Sequence, residues 1–165
     1  MIVVVMGVSS AGKSRIARAL KQRTGWRFLE GDSLHPPSNR EKMAAGTPLS
    51  DDDRWPWLDL IGGELAGSAS RGEALIVTCS ALKRAYRERL RSHAPSVRFL
   101  FLHGPEALLR RRMEGRRGHF MPVTLLPSQL ATLEMPGEDE SDVVRLDIDQ
   151  PVGRIVTRFL EETRS

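Results

Sequence analysis

The eight residues Gly7-Val8-Ser9-Ser10-Ala11-Gly12-Lys13-Ser14 constrain this chain more than any other segment. The spacing Gly-x-x-x-x-Gly-Lys-Ser is that of a phosphate-binding loop. Its backbone N–H groups wrap a nucleotide phosphate, the lysine bridges phosphate oxygens and the serine hydroxyl joins a magnesium ion. Glycine is required where a Cβ would hold the backbone away from the ligand. The pattern carries chemistry only where it starts at the end of a strand and finishes at the start of a helix. Ile2-Val3-Val4-Val5-Met6 precedes it and is apolar at every position, and the segment from Lys13 to Thr24 has helical spacing that closes at Gly25, a residue suited to a left-handed cap. Gly7, Ser9, Ser10, Ala11, Gly12, Lys13 and Ser14 are therefore assigned to ATP, Lys13 also to charge stabilisation during transfer, and Ser14 to Mg²⁺. Ser10 has a Cβ, so its backbone is expected in a region open to ordinary residues.

A strand apolar at every position suits a parallel sheet covered on both faces. Similar runs recur at Trp26–Leu29, Ala74–Cys79, Val97–Leu102 and Val143–Ile148, and segments with helical spacing separate them. This alternation, with the phosphate loop after its first strand, predicts an α/β fold: a single P-loop domain over residues 1–165, with a doubly wound, five-stranded parallel sheet flanked by helices. A helix is expected to start at Ser50, where Ser50 and Asp53 form a capping box and Asp51, Asp52 and Asp53 favour the positive end of the helix dipole. Gly115–Pro127, with its glycines, prolines and arginines, is expected to be a mobile lid.

The chain carries 25 basic and 21 acidic residues, a formal charge of +4. That balance fits an anionic substrate or nucleic acid equally. Aromatic content separates them: only 5% of residues are aromatic, and no basic stripe is interleaved with stacking side chains, so nucleic-acid binding is not expected. A lone cysteine, Cys79, excludes an internal disulfide and points to a reducing, cytoplasmic setting. The first eight residues lack a basic leader and a cleavage site, and they are too short to span a bilayer, so neither secretion nor a membrane anchor is expected. No second His or Cys stands at zinc-ligand spacing.

The second strand ends in Glu30-Gly31-Asp32, at the edge where open parallel sheets bind ligands. A hydroxyl attacking a γ-phosphate needs a group to orient it or accept its proton, and Asp32, opposite the phosphate loop, is the candidate. Glu30 either holds Mg²⁺ through water or is a solvated strand-end acid. His35, extended before Pro36-Pro37, either bonds the substrate or pins the loop. Trp55 and Trp57 are read as core or interface residues.

These residues resemble a known family. Gly31-Asp32-x-x-His35-Pro36, Asn39-x-x-Lys42-Met43, Pro48-Leu49-x-Asp51-Asp52-Asp53-Arg54, Cys79-Ser80-Ala81-Leu82-Lys83, Arg117-Gly118-His119-Phe120 and Asp147-Ile148-Asp149-Gln150-Pro151 follow the phosphate loop in the order and spacing of gluconokinases. The resemblance implies the fold of nucleoside monophosphate kinases, transfer of the ATP γ-phosphate to gluconate to give 6-phosphogluconate, and a homodimer. It further implies that Arg54 grips the substrate carboxylate, a role its planar fork suits independently. Lys83, after Cys79-Ser80-Ala81-Leu82 at a strand end, would bind substrate oxygens or a phosphate, or else be a surface lysine in a first helical turn. Arg116 and His119 would close over the transferred group, Arg112 would stack on adenine, and Pro151 would pass beside it. A kinase of another small molecule, such as shikimate or a nucleoside monophosphate, shares the loop and the acid, but the Asp-Asp-Asp-Arg and His-Pro blocks argue against it. The other alternative is a nucleotide switch. Ser10 in place of a glycine, and Glu30 in place of aspartate, depart from the family pattern.

Overall fold

The structure is a computed structural model, and it describes residues 1–115 and 125–164. Five strands, β1 (Ile2–Met6), β2 (Arg27–Glu30), β3 (Leu75–Thr78), β4 (Arg98–His103) and β5 (Val143–Asp147), form one sheet in the order β2-β3-β1-β4-β5. Every pairing is parallel. The sheet is therefore the expected one, and each predicted run lies within a residue or two of its strand. β1 occupies the centre and is buried at every position, which is why its sequence shows no alternation.

Helices cover both faces, and the two sides of β1 sort the core. Val3 and Val5 pack with Ile16, Ala17 and Leu20 of α1 (Lys13–Thr24) and with Ile155, Val156 and Phe159 of α7 (Val152–Thr163). On the opposite face Ile2, Val4 and Met6 meet Leu58, Ile61 and Leu65 of α3 (Asp51–Ser70) and Tyr86 and Leu90 of α4 (Arg84–His93). The other helices among the described residues are α2 (Pro37–Ala44), α5 (Glu106–Glu114) and α6 (Leu125–Thr132). Two local expectations hold in detail: Gly25 closes α1 at φ 78, and Ser50 with Asp53 forms the capping box that starts α3.

Leu125, Leu126 and Pro127, read as the end of the lid, belong to the first turn of α6, where Pro127 loses no intrahelical bond because first-turn N–H groups have no helical partner. Buried Leu126 packs into the core beside α1 and α5. The rest of the expected lid, residues 116–124, lies outside the described residues.

Chain reversal at the end of β2 depends on glycine. Gly31 opens a 3₁₀ turn (Gly31–Leu34), its N–H donates to Thr78 Oγ1 at 3.1 Å, and its carbonyl accepts from Trp57 Nε1 at 2.8 Å. A Cβ at Gly31 would stand 1.9 Å from the Thr78 carbonyl oxygen, so the approach of β2 to β3 excludes any side chain. Gly31→Ala is expected to lower the unfolding free energy by about 3 kcal/mol in a urea titration; an unchanged midpoint would contradict this packing.

Candidate functional site

The phosphate loop joins the end of the central strand to α1. Gly7 has φ 145, and a Cβ there would come within 2.7 Å of the Leu102 carbonyl oxygen. Gly12 caps α1 at φ 92. Ser10 does not behave as expected: it sits at φ 70, in the left-handed region. That conformation costs a residue with a Cβ about 1 kcal/mol. Its hydroxyl supplies an offset by donating to the Leu109 carbonyl of α5 at 2.8 Å, in a buried setting. Lys13 Nζ donates to the carbonyls of Gly7 and Val8 at 3.0 and 3.1 Å, curled along the loop whose ligand it would serve. Ser14 follows it in the first turn of α1.

On one side of the loop a cavity is lined by Ser9, Lys13, Asp32, His35, Arg54, Ser80 and three residues of α6, Ser128, Gln129 and Thr132. It thus brings together the loop lysine, the proposed base and the proposed carboxylate ligand. On the other side, Ala11, Gly12, Arg15, Arg112, Gln150 and Pro151 line a second cavity. Arg112 and Pro151, assigned to the adenine, meet there, and Arg112 donates to the Ile148 carbonyl at 3.0 Å.

Each acceptor-side group is held from behind. Asp32 stands in the 3₁₀ turn with its carboxylate exposed and 3.8 Å from His35 Nε2. His35 stacks on Trp57 with ring centroids 3.9 Å apart, and Asn39 Nδ2 lies 3.2 Å from its Nδ1. His35 therefore pins the loop and also lines the cavity. Burial, then Arg54 and Arg40, push its pKa down to about 4, so the ring is neutral near pH 7 despite the nearby Asp32 carboxylate. Asn39 also donates to the Asp53 carbonyl at 2.8 Å. Lys42 binds the Asp53 carboxylate at 2.8 Å, which lowers that pKa to about 2, with Ser50 adding to the effect. The Asn-x-x-Lys block thus fixes the start of α3, and with it the neighbouring Arg54.

Tyr86 was not legible as a site residue. Its hydroxyl donates to Asp51 and accepts from Arg54 Nη1 at 2.9 Å, so it aims the guanidinium from beneath the cavity. Lys83 is the residue before α4 and pairs with Asp51 at 3.0 Å; it does not line the cavity. Glu30 accepts from Thr78 Oγ1 at 2.7 Å and lies 3.7 Å from Arg18. Gln129 accepts from the Ser9 N–H at 2.7 Å; nothing in its local sequence marks it, because only the packing of α6 against the loop makes the contact. Arg116 and His119 lie outside the described residues.

A parallel sheet ordered β2-β3-β1-β4-β5, with a phosphate loop after its central strand and an acid-and-arginine cavity beside that loop, defines a P-loop kinase that acts on a small molecule. Residues 2–136 match the family model of an AAA domain. The gluconokinase of Gluconobacter oxydans (strain 621H) is 52% identical over 138 residues, 84% of this chain and 78% of that protein. The thermoresistant gluconokinase of Escherichia coli (strain K12) is 42% identical over 160 residues, 97% of this chain and 91% of that one. In three dimensions, a gluconokinase from Sinorhizobium meliloti 1021 superposes with a TM-score of 0.87 at 51% identity, covering 97% of this chain and 89% of the other. The chain belongs to the gluconokinase family.

Two outcomes follow from this geometry. His35 has a lower pKa folded than its ordinary 6.5, so the unfolded chain takes up a proton first as pH falls. Its share of stability is complete above about 6.5 and is lost towards about 4, at up to about 1.4 kcal/mol per pH unit. Denaturant titrations across that range should give a flatter profile for His35→Gln than for the unsubstituted chain. Tyr86→Phe removes the hydroxyl that aims Arg54 and is expected to raise the KM for the acid substrate several-fold, with the KM for ATP unchanged in steady-state assays.

Proposed function

We propose that the chain transfers the γ-phosphoryl group of ATP to D-gluconate, giving 6-phospho-D-gluconate and ADP. The observation that carries this reading is the single cavity lined by Lys13, Asp32 and Arg54 beside the phosphate loop. The names of its relatives support the same acceptor.

In this reading the loop amides and Lys13 hold the β- and γ-phosphates, and Lys13 leaves the Gly7 and Val8 carbonyls to do so. Arg54 receives the gluconate carboxylate in its planar fork, while Tyr86, its own hydroxyl held by Asp51, fixes the far side of that guanidinium. The substrate is then oriented by its charged end, and a distal hydroxyl lies towards the loop. Asp32 orients that hydroxyl and accepts its proton as the phosphorus–oxygen bond forms and ADP departs. Neutral His35 keeps the Asp32 turn in place and offers a ring nitrogen to a substrate hydroxyl. Much of the barrier is removed by positioning the two reactants in line.

Among the described residues, no group of three or more His, Cys, Asp or Glu side chains is arranged to hold a metal. That donor set fits a Mg²⁺ that arrives with the nucleotide and keeps most of its water and phosphate oxygens. Ser14 would contribute its hydroxyl, and Glu30, already anchored by Thr78, would order a coordinated water. The ion, when bound, neutralises charge on the phosphate oxygens. Arg112 and Pro151 would flank the adenine, and Lys83, paired with Asp51 outside the cavity lining, would act through the Asp51–Tyr86–Arg54 chain. Arg116 and His119 are assigned to closure over the transferred group from the family pattern. A homodimer in the cytoplasm completes the proposal.

The test is ADP release measured over a panel of sugar acids, shikimate, nucleoside monophosphates and single-stranded DNA; gluconate should give the highest kcat/KM. Asp32→Asn is expected to lower kcat by about 10²- to 10⁴-fold. In the same assay Arg54→Ala should chiefly raise the gluconate KM. Near-normal turnover by Asp32→Asn would remove Asp32 from the reaction.

A further inference from the structure

Ser9 and Lys13 are the loop residues that face the acceptor cavity, Ser9 lying ahead of the helix that begins at Lys13, whereas Ala11 and Gly12 face the cavity of Arg112 and Pro151. A triphosphate that transfers its terminal group must run from the second cavity towards the first. Its γ-phosphate therefore comes to the acceptor-side N–H of the loop, that of Ser9. In this structure that N–H donates to Gln129 Oε1 at 2.7 Å, a contact spanning 120 residues of sequence. A backbone N–H can only donate, so the atom facing it must be the carboxamide oxygen, and the orientation of the amide is fixed by chemistry.

We propose that Gln129 is a positioning residue whose carboxamide oxygen holds the place of a γ-phosphate oxygen in the nucleotide-free enzyme and is displaced when ATP binds. The inference rests on the reading of the loop as an ATP site. The mount of Gln129 is rigid. Its own carbonyl accepts from Leu133 N–H at 2.9 Å, the Glu134 N–H donates to the Leu82 carbonyl at 2.8 Å, and Arg87 donates to the Glu134 carbonyl at 3.1 Å. Displacement is therefore a rotation of the Gln129 side chain, with α6 left in place. The consequence is a loop preorganised for an oxygen ligand before ATP arrives, and a local cost of ATP binding that ADP, which lacks the γ-phosphate, does not incur. A carboxamide suits this duty because it accepts the N–H bond without carrying a charge that would repel the incoming phosphate.

The experiment is calorimetric titration of Mg-ATP and, separately, Mg-ADP into the full chain without gluconate. Gln129→Leu removes the competing acceptor and is expected to tighten ATP by about 2- to 10-fold, the worth of one net hydrogen bond, with ADP unchanged. Gln129→Glu keeps the acceptor and adds a charge, so it should weaken ATP more than ADP. These opposite directions keep the test independent of any general loss of folding, which thermal melts of both variants would reveal. If the chain binds both nucleotides and neither variant alters the ratio of their affinities, or Gln129→Leu weakens ATP, the proposal is overturned while the ATP reading stands. A chain that binds neither nucleotide overturns the ATP reading, and this proposal with it.

Discussion

Arg87 is wholly buried, and its partner Glu140 is nearly so; their side chains are 0% and 1% exposed and meet at 2.8 Å. Removing one partner of such a pair leaves a buried charge and costs several kcal/mol. Here the arginine also donates to the carbonyls of Ala81, Leu82 and Glu134. A single guanidinium therefore fixes the loop after β3, the end of α6 and the segment before β5. Ala81 stands at φ 46, a strained backbone that the Arg87 bond holds in place. Ser80 of that loop accepts from the Gly7 N–H at 3.3 Å, and α6 reaches Ser9 through Gln129. The phosphate loop is thus braced on its acceptor side through contacts that lead back to Arg87.

The same loop is braced on its other side by Ser10, whose hydroxyl binds the carbonyl of Leu109. A glycine would adopt φ 70 without strain and would make no such bond. The serine accepts a local backbone cost and ties the loop to α5, the helix that carries Arg112 to the second cavity. Ser10 and Gln129 together couple the rigid turn to the two helices that flank its two cavities.

Much of the frame was legible because it is written locally. Strand positions follow from apolar runs, the end of α1 from Gly25, and the start of α3 from Ser50 and Asp53. The phosphate loop, Asp32 and Arg54 carried chemistry in their residue types and their places at strand or helix ends. What was missed depends on contacts between distant segments. Tyr86 looks like an ordinary core residue of α4, and only the crossing of α3 over α4 sets its hydroxyl between Asp51 and Arg54. Gln129 is an unremarkable helix residue until α6 is laid against the loop. Ser10 takes the left-handed region against the steric preference of its Cβ because its hydroxyl reaches the Leu109 carbonyl, a partner 99 residues away that no local pattern shows.

Charge tells a parallel story. The excess of basic residues left nucleic acid as one reading of the sequence, yet the arginines of α4 are directed inwards or sideways to specific acids. Arg84 pairs with Asp139, Arg89 with Asp59, and Arg91 with both Glu140 and Asp142. The exposed pairs Arg84–Asp139 and Arg89–Asp59 contribute little stability each, but all of them offset basic charge along α4. Positive charge is instead presented at the two cavities, by Lys13 and Arg54 on one side of the loop and by Arg15 and Arg112 on the other. The net charge therefore acts through where it is presented, at the two cavities on either side of the loop, and not through its total.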